Sequence, residues 1–254
     1  MTVTETRFPV TSDDLELSAG LALPDEPRGG VLLLHGIPSV SPPTPDDTGY
    51  PGLARRFAGE GWATVWLSMR GAKDSPGYFS IDGWVRDALA AIANLRAADF
   101  MDGLPLVVAG SSAGGVVATE ATRRGAPVDA LVLLAAPATW VSFAADGSAA
   151  VARIEQESGM AVAPTVVAEP SEWADEFERI TTESAIGELD VPILIVHGTD
   201  DDVVPVEHAA RLGEAAPDAK VVLLDRGLHQ LRRDDRALNE VLLWLNRTLP
   251  SKDQ

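Results

Sequence analysis

The sequence contains no cysteine among its 254 residues. Disulfide bonds, thiolate metal sites and a cysteine nucleophile are therefore excluded. No apolar run reaches the roughly eighteen residues that a membrane-spanning helix requires, and the first residues lack the basic and apolar regions of a signal peptide. From these absences we expect a cytoplasmic protein that does not enter a membrane.

Basic residues are also scarce. The chain has 20 lysine and arginine residues against 38 aspartate and glutamate residues, which gives a formal net charge of −18. Only three of the basic residues are lysines, namely Lys73, Lys220 and Lys252. An acidic surface repels phosphate groups, so we expect neither nucleic acid nor an anionic membrane as a partner. The simplest role of this acidity is to keep the protein soluble.

Apolar residues make up 46% of the chain, which is enough to fill a sizeable core. From residue 31 onward, short apolar runs alternate with segments of helical periodicity, which predicts a mostly parallel sheet with helices on both faces. Predicted strands lie at 8–10, 15–21, 31–34, 62–67, 104–109, 130–134, 191–196 and 220–224, and predicted helices at 53–60, 82–98, 112–124, 206–216 and 234–249. Residues 137–187 contain no clear strand, and an insertion of that length predicts a small helical cap. The core would then consist of residues 1–136 and 188–254.

The pentapeptide Gly110-Ser111-Ser112-Ala113-Gly114 has the pattern G-x-S-x-G. It follows an apolar run and precedes a helix-compatible segment, so the chain is predicted to turn sharply from a strand into a helix at Ser112. The glycines are needed because side chains at their positions would clash within so tight a turn. Such a corner exposes the Ser112 hydroxyl at the carboxyl edge of the sheet, where it is a candidate nucleophile.

A serine hydroxyl needs a base to take its proton, and that base is usually a histidine oriented by a carboxylate. The chain has four histidines. His35 and His197 each end an apolar strand, and we interpret them as rings that bond nearby backbone. His208 lies within a predicted helix and is expected to be exposed. His229 follows the last predicted strand, where a side chain points back over the carboxyl edge of the sheet, and it is the predicted base.

Three consecutive aspartates, Asp200, Asp201 and Asp202, follow the predicted strand at 191–196. One carboxylate must face the base, while the others could cap the helix that begins after Pro205. The spacing alone does not choose among the three.

An oxyanion hole requires backbone N–H groups directed at a developing alkoxide. Ala113 directly follows the nucleophile at a helix N-terminus, whose dipole favours negative charge. Ile37 follows Gly36 in the loop after the strand at 31–34, where glycine allows a tight turn. We predict that the N–H groups of Ala113 and Ile37 form this hole, although Ile37 could also be a simple apolar lining residue.

Four motifs taken together resemble the α/β-hydrolase superfamily. His35-Gly36-Ile37-Pro38 is similar to its H-G-x-P oxyanion loop, and residues 110–114 are similar to its nucleophile elbow. Residues 197–205 resemble its H-G-x-x-D-x-x-V-P acid loop, and Gly227-Leu228-His229 resembles the loop that carries its base. The order of nucleophile, acid and base is also that of the superfamily. The register of the acid loop assigns the carboxylate to Asp201.

This resemblance implies an α/β-hydrolase fold and a serine hydrolase that uses no cofactor and no metal. Ser112, Asp201 and His229 would form a catalytic triad that cleaves small or medium carboxylic esters. The expected partner is a small-molecule ester, bound by a monomer or a homodimer. The cap would shape the acyl pocket, although packing within the cap would explain each candidate lining residue equally well. These candidates are Trp140, Met160, Trp173 and Phe177.

Two further expectations concern local structure. Residues 70–77 are similar to the superfamily loop R-G-x-G-x-S-x-G, but Lys73 stands where glycine is usual, so either its φ is not positive or its backbone is strained. Within the cap, glycine and proline residues would interrupt a long helix, so two or three short helices are expected. These interrupting residues are Gly147, Gly159, Pro164 and Pro170.

Other activities of this fold stay open. A peptidase of the proline-iminopeptidase or serine-aminopeptidase type would need acidic groups in the cap to hold a substrate ammonium. Six acidic residues of the cap are candidates, which a solvated helix face explains equally well: Glu155, Glu157, Glu169, Glu172, Asp175 and Glu176. C–C bond hydrolysis and perhydrolysis are also compatible, whereas dehalogenases and epoxide hydrolases usually carry aspartate at the position of Ser112. The remaining class is a non-catalytic ligand receptor, which would gain little from an intact triad.

Overall fold

The chain begins with a β-hairpin of two long strands, β1 (Val3–Ser12) and β2 (Leu15–Pro24). The computed structural model describes residues 2–40, 47–140 and 147–249. Both hairpin strands extend beyond their predicted bounds because every residue from Val3 to Ser12 has a partner in the other strand. Cross-strand pairing therefore continues where the local apolar pattern stops.

Six further strands complete an eight-stranded sheet. They are β3 (Gly29–Leu34), β4 (Trp62–Leu67), β5 (Leu106–Ser111), β6 (Ala130–Leu134), β7 (Ile193–Gly198) and β8 (Lys220–Leu224). The strand order is β1-β2-β4-β3-β5-β6-β7-β8, and β3 to β8 are parallel to one another. The predicted parallel sheet is confirmed, and β2 joins it antiparallel to β4. The carboxyl ends of β3, β5, β7 and β8 therefore share one edge, where the loops that follow them can meet.

Helices cover both faces of this sheet. In chain order they are α1 (Gly49–Gly59), α2 (Ile81–Arg96), α3 (Ala113–Arg123), α4 (Gly147–Ser158), α5 (Pro164–Ala168), α6 (Ser171–Arg179), α7 (Thr182–Ile186), α8 (Glu207–Ala215) and α9 (Asp235–Thr248). Short 3-10 turns lie at Asp99–Met101 and Leu231–Arg233. Within the described part of the chain, no helix is both long and apolar enough to cross a membrane.

Alternate residues of the central strands point to two separate hydrophobic cores. Val31 and Leu33 of β3 pack with α1 and α9 on one face of the sheet. Leu32 and Leu34 pack with α2 and α3 on the other face. Every residue of β3 and β4 is buried, as expected for strands covered on both faces. The sheet is thereby held rigidly beneath the loops at its carboxyl edge.

The segment between β6 and β7 folds into four helices within its described residues, α4 to α7, rather than two or three. Its glycine and proline residues lie at helix boundaries, as predicted: Gly147 begins α4, Gly159 follows it, Pro164 begins α5 and Pro170 precedes α6. The segment holds one more helix than predicted because α5 and α7 have only five residues each, so that more helices fit into the same length of chain.

This helical segment is anchored to two loops at the carboxyl edge of the sheet. The Val40 N–H donates to the Glu157 carbonyl at 3.0 Å, and the Phe79 N–H donates to the Ala161 carbonyl at 2.9 Å. At its C-terminal end, α7 packs against α3 and α8 of the core. The segment therefore lies beside the loops that follow β3 and β4.

A buried ion pair fixes the start of the loop after β4. The Arg70 guanidinium bonds the Asp87 carboxylate, and the side chains are 8% and 0% exposed. The same carboxylate accepts the Arg70 N–H at 2.8 Å, while Trp84 Nε1 donates to the Arg70 carbonyl at 2.9 Å. Because Trp84 and Asp87 both lie on α2, this helix holds the loop from beneath.

We expect Asp87→Ala to lower the free energy of unfolding by about 1.5–3 kcal/mol, because it removes charge-assisted hydrogen bonds from the buried Arg70 guanidinium and leaves the Asp13 carboxylate, which is 46% exposed, as its ion-pair partner. Urea denaturation monitored by far-UV circular dichroism would measure this loss. Asp102→Ala, at an exposed turn, is the control and should stay within about 0.5 kcal/mol of the wild type. A loss below about 1 kcal/mol for Asp87→Ala would contradict this role for the pair.

Candidate active site

Ser112 occupies a strained corner between β5 and α3. Its backbone has φ 53° and ψ −123°, a conformation that non-glycine residues rarely adopt. The corner is fixed from both sides, because the Ser112 N–H donates to the Leu134 carbonyl at 2.8 Å and the Ser112 carbonyl accepts the Gly115 N–H at 2.8 Å. The residue is half-buried rather than exposed, since neighbouring loops close around the corner. Strain of this kind is characteristic of functional sites.

The two glycines of the pentapeptide are required by close backbone contacts. A Cβ at Gly110 would lie 2.2 Å from the Gly114 carbonyl oxygen, and a Cβ at Gly114 would lie 2.4 Å from the Leu34 carbonyl oxygen. Neither contact is possible for a real side chain, because the opposing atoms are backbone. The predicted reason for glycine at these positions is confirmed.

The loop after β3 comes directly against Ser112. A Cβ at Gly36 would lie 2.9 Å from the Ser112 Cβ and 3.4 Å from its Oγ, so only glycine allows this approach. Within the described residues, the N–H of Ile37 donates to no protein acceptor. Ala113 is the first residue of α3, so its N–H has no acceptor inside the helix. Two free backbone donors therefore flank the serine.

Asp201 is the aspartate that meets His229. Its Oδ2 lies 2.8 Å from His229 Nδ1, and its side chain has no exposed surface. Asp200 and Asp202 are exposed. With Nδ1–H donating to the carboxylate, the lone pair of His229 is on Nε2. The side chain of His229 is 18% exposed, so this ring can be reached from the solvent.

The Asp201 carboxylate is held in its ionised form. Burial raises its pKa, but hydrogen bonds from His197, His229 and the Val204 N–H outweigh this effect and keep the pKa well below its usual range. Oδ1 accepts the N–H groups of Val203 at 2.9 Å and Val204 at 2.8 Å. A negative charge is therefore fixed beside His229, where it would stabilise an imidazolium.

The other histidines are structural. His35 Nδ1 bonds the Gly36 carbonyl at 2.7 Å and its Nε2 accepts the Met69 N–H at 3.0 Å, while burial lowers its pKa to about 4. His197 Nε2 donates to a backbone carbonyl at 2.9 Å. Both interpretations as strand-end residues that bond backbone are confirmed. The expectation of an exposed His208 is wrong: it is buried where α8 packs on α7, and its Nδ1 accepts the Ala138 N–H at 3.0 Å.

The profile of the serine aminopeptidase S33 family matches residues 25–168, more than half of the chain. The protein is an α/β-hydrolase of this family. The matched region includes Gly36, Ile37 and Ser112 but ends before Asp201 and His229. The fold and the hydrolase family are thus established together, while the roles of the individual site residues are a separate question.

Three similar proteins illustrate how far this likeness extends. Protein ABHD8 of Homo sapiens is 40% identical over 62 residues, which cover 22% of this chain and only 14% of that protein. The structure of ferulic acid bound to Est1E from Butyrivibrio proteoclasticus aligns with a TM-score of 0.71 at 20% identity, over 95% of this chain and 98% of that one. The Pyrococcus furiosus esterase PF2001 aligns with a TM-score of 0.68 at 18% identity, over 97% and 92%. At these identities the two structures share the fold.

The predicted lining residues of this α/β-hydrolase differ in their exposure. Met160, Trp173 and Phe177 are at most 2% exposed, which matches packing within the helical segment. Trp140 is half-buried and donates from Nε1 to the Ile180 carbonyl at 2.7 Å. The Trp140 and Phe177 rings meet edge to face with centroids 5.0 Å apart. Substrate contact by these four residues remains a prediction.

Open space in the described part of the chain adjoins the histidine. A cavity of about 630 Å³ borders His229, and the exposed Val203 and Leu228 are among its lining residues. Among residues 2–40, 47–140 and 147–249, no three His, Asp or Glu side chains converge as a metal site would require.

The backbone of Lys73 has a positive φ of 52°. Of the two conformations that the sequence allowed at this position, the strained one is therefore observed. The loop thus keeps a backbone conformation that suits glycine. Its side chain reaches the ring of Tyr50, with Nζ 5.0 Å from the ring centroid. Sequence reasoning identified Lys73 only because it stands where glycine is usual. It missed Tyr50, whose ring the Lys73 side chain contacts.

A second ion pair ties the histidine loop to α1. Arg232, three residues after His229, makes two 2.6 Å hydrogen bonds to the carboxylate of Asp47, just before α1. The Arg232 guanidinium also lies 5.5 Å from the Tyr50 ring centroid. Hydrogen bonds from Arg232 hold the pKa of Asp47 well below its usual range. Sequence reasoning missed this pair because its partners are far apart in the chain.

We expect Asp47→Asn to lower the free energy of unfolding at pH 7 by about 1–3 kcal/mol, since Asp47 makes charge-assisted bonds and its side chain is 7% exposed. A depressed folded-state pKa contributes its full stability above the unfolded-state pKa of about 3.9, and this contribution is lost as the pH falls from there toward the folded-state pKa. The difference from the wild type should therefore shrink as the pH falls below about 4. Urea unfolding from pH 7 to pH 3 measures it, with the exposed Asp74→Asn as control. A difference independent of pH would contradict this assignment.

Proposed function

We propose that this α/β-hydrolase is a serine esterase that cleaves small or medium carboxylic esters through an acyl-enzyme on Ser112. The observation that carries the proposal is the hydrogen bond between Asp201 and His229 at the sheet edge where the Ser112 corner also lies. Ser112, His229 and Asp201 follow β5, β8 and β7 at this edge, which supports the roles of nucleophile, base and orienting acid that acyl transfer would need.

The first step would be attack of Ser112 Oγ on the ester carbonyl. His229 Nε2 takes the Ser112 proton as the new C–O bond forms. Asp201 keeps the proton on Nδ1, so that Nε2 is the free acceptor, and its charge stabilises the imidazolium. The fixed carboxylate described above supports this role, because it is ionised before the reaction begins.

The developing oxyanion would be bound by the N–H groups of Ile37 and Ala113. In the part of the chain that the structure describes, neither N–H donates to a protein acceptor, and Gly36 allows the first to come close to the serine. Preorganised donors of this kind are worth about 2.7–4 kcal/mol each in the transition state. His229 then protonates the leaving alcohol, activates a water for attack on the acyl-enzyme and returns the proton to Ser112.

The helical segment at 137–187 would act as a cap that limits the size of the substrate. Its contacts with Val40 and Phe79 place it beside the oxyanion loop and the loop after β4, which supports this role. The open cavity of about 630 Å³ beside His229 is lined by residues from 202–203 and 226–235, and it would give a substrate access to the base.

Aminopeptidase activity, which the family name suggests, is the second candidate. It would need carboxylates near Ser112 to hold a substrate ammonium. Of the six candidate carboxylates named above, five are exposed, while Glu176 accepts the Asp82 N–H at 3.0 Å at the start of α2. The groups around Tyr50 include the cations Lys73 and Arg232, which would repel an ammonium. These observations favour the esterase.

A direct comparison of substrates tests the proposal. We expect turnover of p-nitrophenyl esters from acetate to decanoate with an optimum chain length, and little turnover of alanine or proline p-nitroanilide. Preferential cleavage of the anilides would assign the protein to the peptidases. Failure to cleave either class would contradict the esterase proposal.

A further inference from the structure

Two cations lie against one tyrosine ring at the edge of the candidate active site. Lys73 Nζ is 5.0 Å and the Arg232 guanidinium carbon is 5.5 Å from the ring centroid of Tyr50. Each distance falls within the range of a cation–π contact. The two cations form a local positive region in a chain whose net charge is −18.

Tyr50 connects these cations to the oxyanion loop. Its hydroxyl interacts with the Ser111 side chain and the Gly36 backbone, and its ring packs edge to face on His35 with centroids 6.3 Å apart. Ser111 and Gly36 are the immediate neighbours of Ser112 and Ile37 in the chain. A group bound by the cations would therefore lie beside the reacting centre.

The two cations differ in how their charge is balanced. Arg232 makes two hydrogen bonds to the Asp47 carboxylate, so its charge is compensated. Within the described residues, Lys73 has no carboxylate within salt-bridge distance. Although the residue is exposed overall, protein around its ammonium and then repulsion from Arg232 lower the pKa of Lys73. Within the described residues, the ammonium therefore has no ion-pair partner, and it contacts the Tyr50 ring while Asp47 and Asp74 attract it from farther away.

The backbone at Lys73 gives a second, independent indication. With φ 52°, the position suits glycine, so a lysine here is kept at a conformational cost. Such costs are concentrated at functional positions, where the side chain does something that glycine could not. Lys73 therefore combines two indications of a functional role, a strained backbone and an ammonium without an ion-pair partner in the described residues.

We propose that the Lys73 ammonium binds a carboxylate of the substrate, so that the preferred substrates are esters that also carry a free carboxylate, such as monoesters of dicarboxylic acids. This inference rests on the proposed esterase function. One unpaired ammonium matches one carboxylate, whereas a phosphate dianion would need further donors. The net charge of −18 repels anions at long range, and the Lys73 ammonium would attract an acidic substrate locally.

Paired substrates test the proposal. Monoethyl esters of succinate to suberate are compared with ethyl alkanoates of the same chain length, by titration of the released acid. We expect the ratio of kcat/KM, acidic over neutral, to reach a maximum at one chain length. In Lys73→Gln this ratio should fall about tenfold, the effect of one ion pair of moderate strength. Lys73→Arg should retain most of it.

Two controls separate a specific charge from other effects. Lys220→Gln, on the exposed edge strand β8, removes the same charge and should leave the ratio unchanged. Added NaCl should lower the ratio in the wild type but not in Lys73→Gln, because salt screens an ion pair near the surface. Turnover of neutral esters with equal ratios in the wild type and Lys73→Gln would overturn this inference and leave the esterase proposal standing. Absence of turnover in both series would overturn both.

Discussion

Ser112→Ala is expected to reduce kcat for ester hydrolysis by about 10⁶-fold, the loss found when the nucleophile of a serine protease triad is removed. Without Oγ no acyl-enzyme can form, and His229 has no hydroxyl to activate. The remaining oxyanion donors, Ile37 and Ala113, would give only a residual acceleration over water. Steady-state hydrolysis of the best p-nitrophenyl ester, at matched protein concentrations, measures the loss.

The variant should fold like the wild type. Alanine keeps the Cβ of Ser112, so the strained corner and its backbone hydrogen bonds are unchanged. Ser111→Ala, one residue earlier, is a matched control that should stay within about tenfold of the wild-type kcat, because Ser111 contacts Tyr50 rather than the reacting carbonyl. Full activity in Ser112→Ala, or equal losses in the two variants, would contradict the assignment of the nucleophile.

Asp201→Asn is expected to reduce kcat by about 10⁴-fold, as the corresponding change does in a serine protease. The geometry around the residue explains why the loss should be large. Oδ1 accepts the N–H groups of Val203 and Val204, so the amide oxygen of asparagine would take that position. The NH₂ group would then face His229, which would have to accept at Nδ1 and carry its proton on Nε2. Such a ring cannot take the proton of Ser112.

The neighbouring aspartates provide the control. Asp200→Asn and Asp202→Asn remove the same charge from exposed side chains and should change kcat by less than about threefold. Thermal unfolding of all three variants would exclude a folding defect. A loss at Asp200 or Asp202 that equals or exceeds the loss at Asp201 would show that a different carboxylate serves His229.

The sheet was predictable because its central strands are buried on both faces. Such strands are read in the sequence as continuous apolar runs, and Trp62–Leu67 and Ala130–Leu134 were predicted with their observed bounds. Two other strands, β5 and β7, end two residues later than predicted. β5 continues to Ser111 because Gly110 and Ser111 pair with Leu133 and Leu134, and local hydrophobicity does not report such pairing.

The positions of Ser112, Asp201 and His229 were predictable for a related reason. Each lies in the turn or loop that follows a strand, so a strand prediction also places the residue near the carboxyl edge of the sheet. The choice of Asp201 over its neighbours came from the register of a known acid loop rather than from spacing. The contact with His229 in the structure involves this aspartate.

Contacts between distant segments could not be predicted from the sequence. His208 has the periodicity of a surface helix, and its burial depends on α7 and on the Ala138 N–H, which no local pattern specifies. The same holds for Tyr50, which is approached by Lys73 and Arg232 from two other loops. These are tertiary contacts, and only the fold brings their partners together.

Covalent labelling with a fluorophosphonate tests the central claim most directly, because the reagent reacts with an activated serine whatever the natural substrate is. The protein is labelled to completion, digested, and the modified residue located by peptide mass spectrometry. We expect one label per chain, on Ser112, with much slower labelling in Asp201→Asn and none in Ser112→Ala. Absence of labelling in the wild type, or a label on another residue, would contradict it.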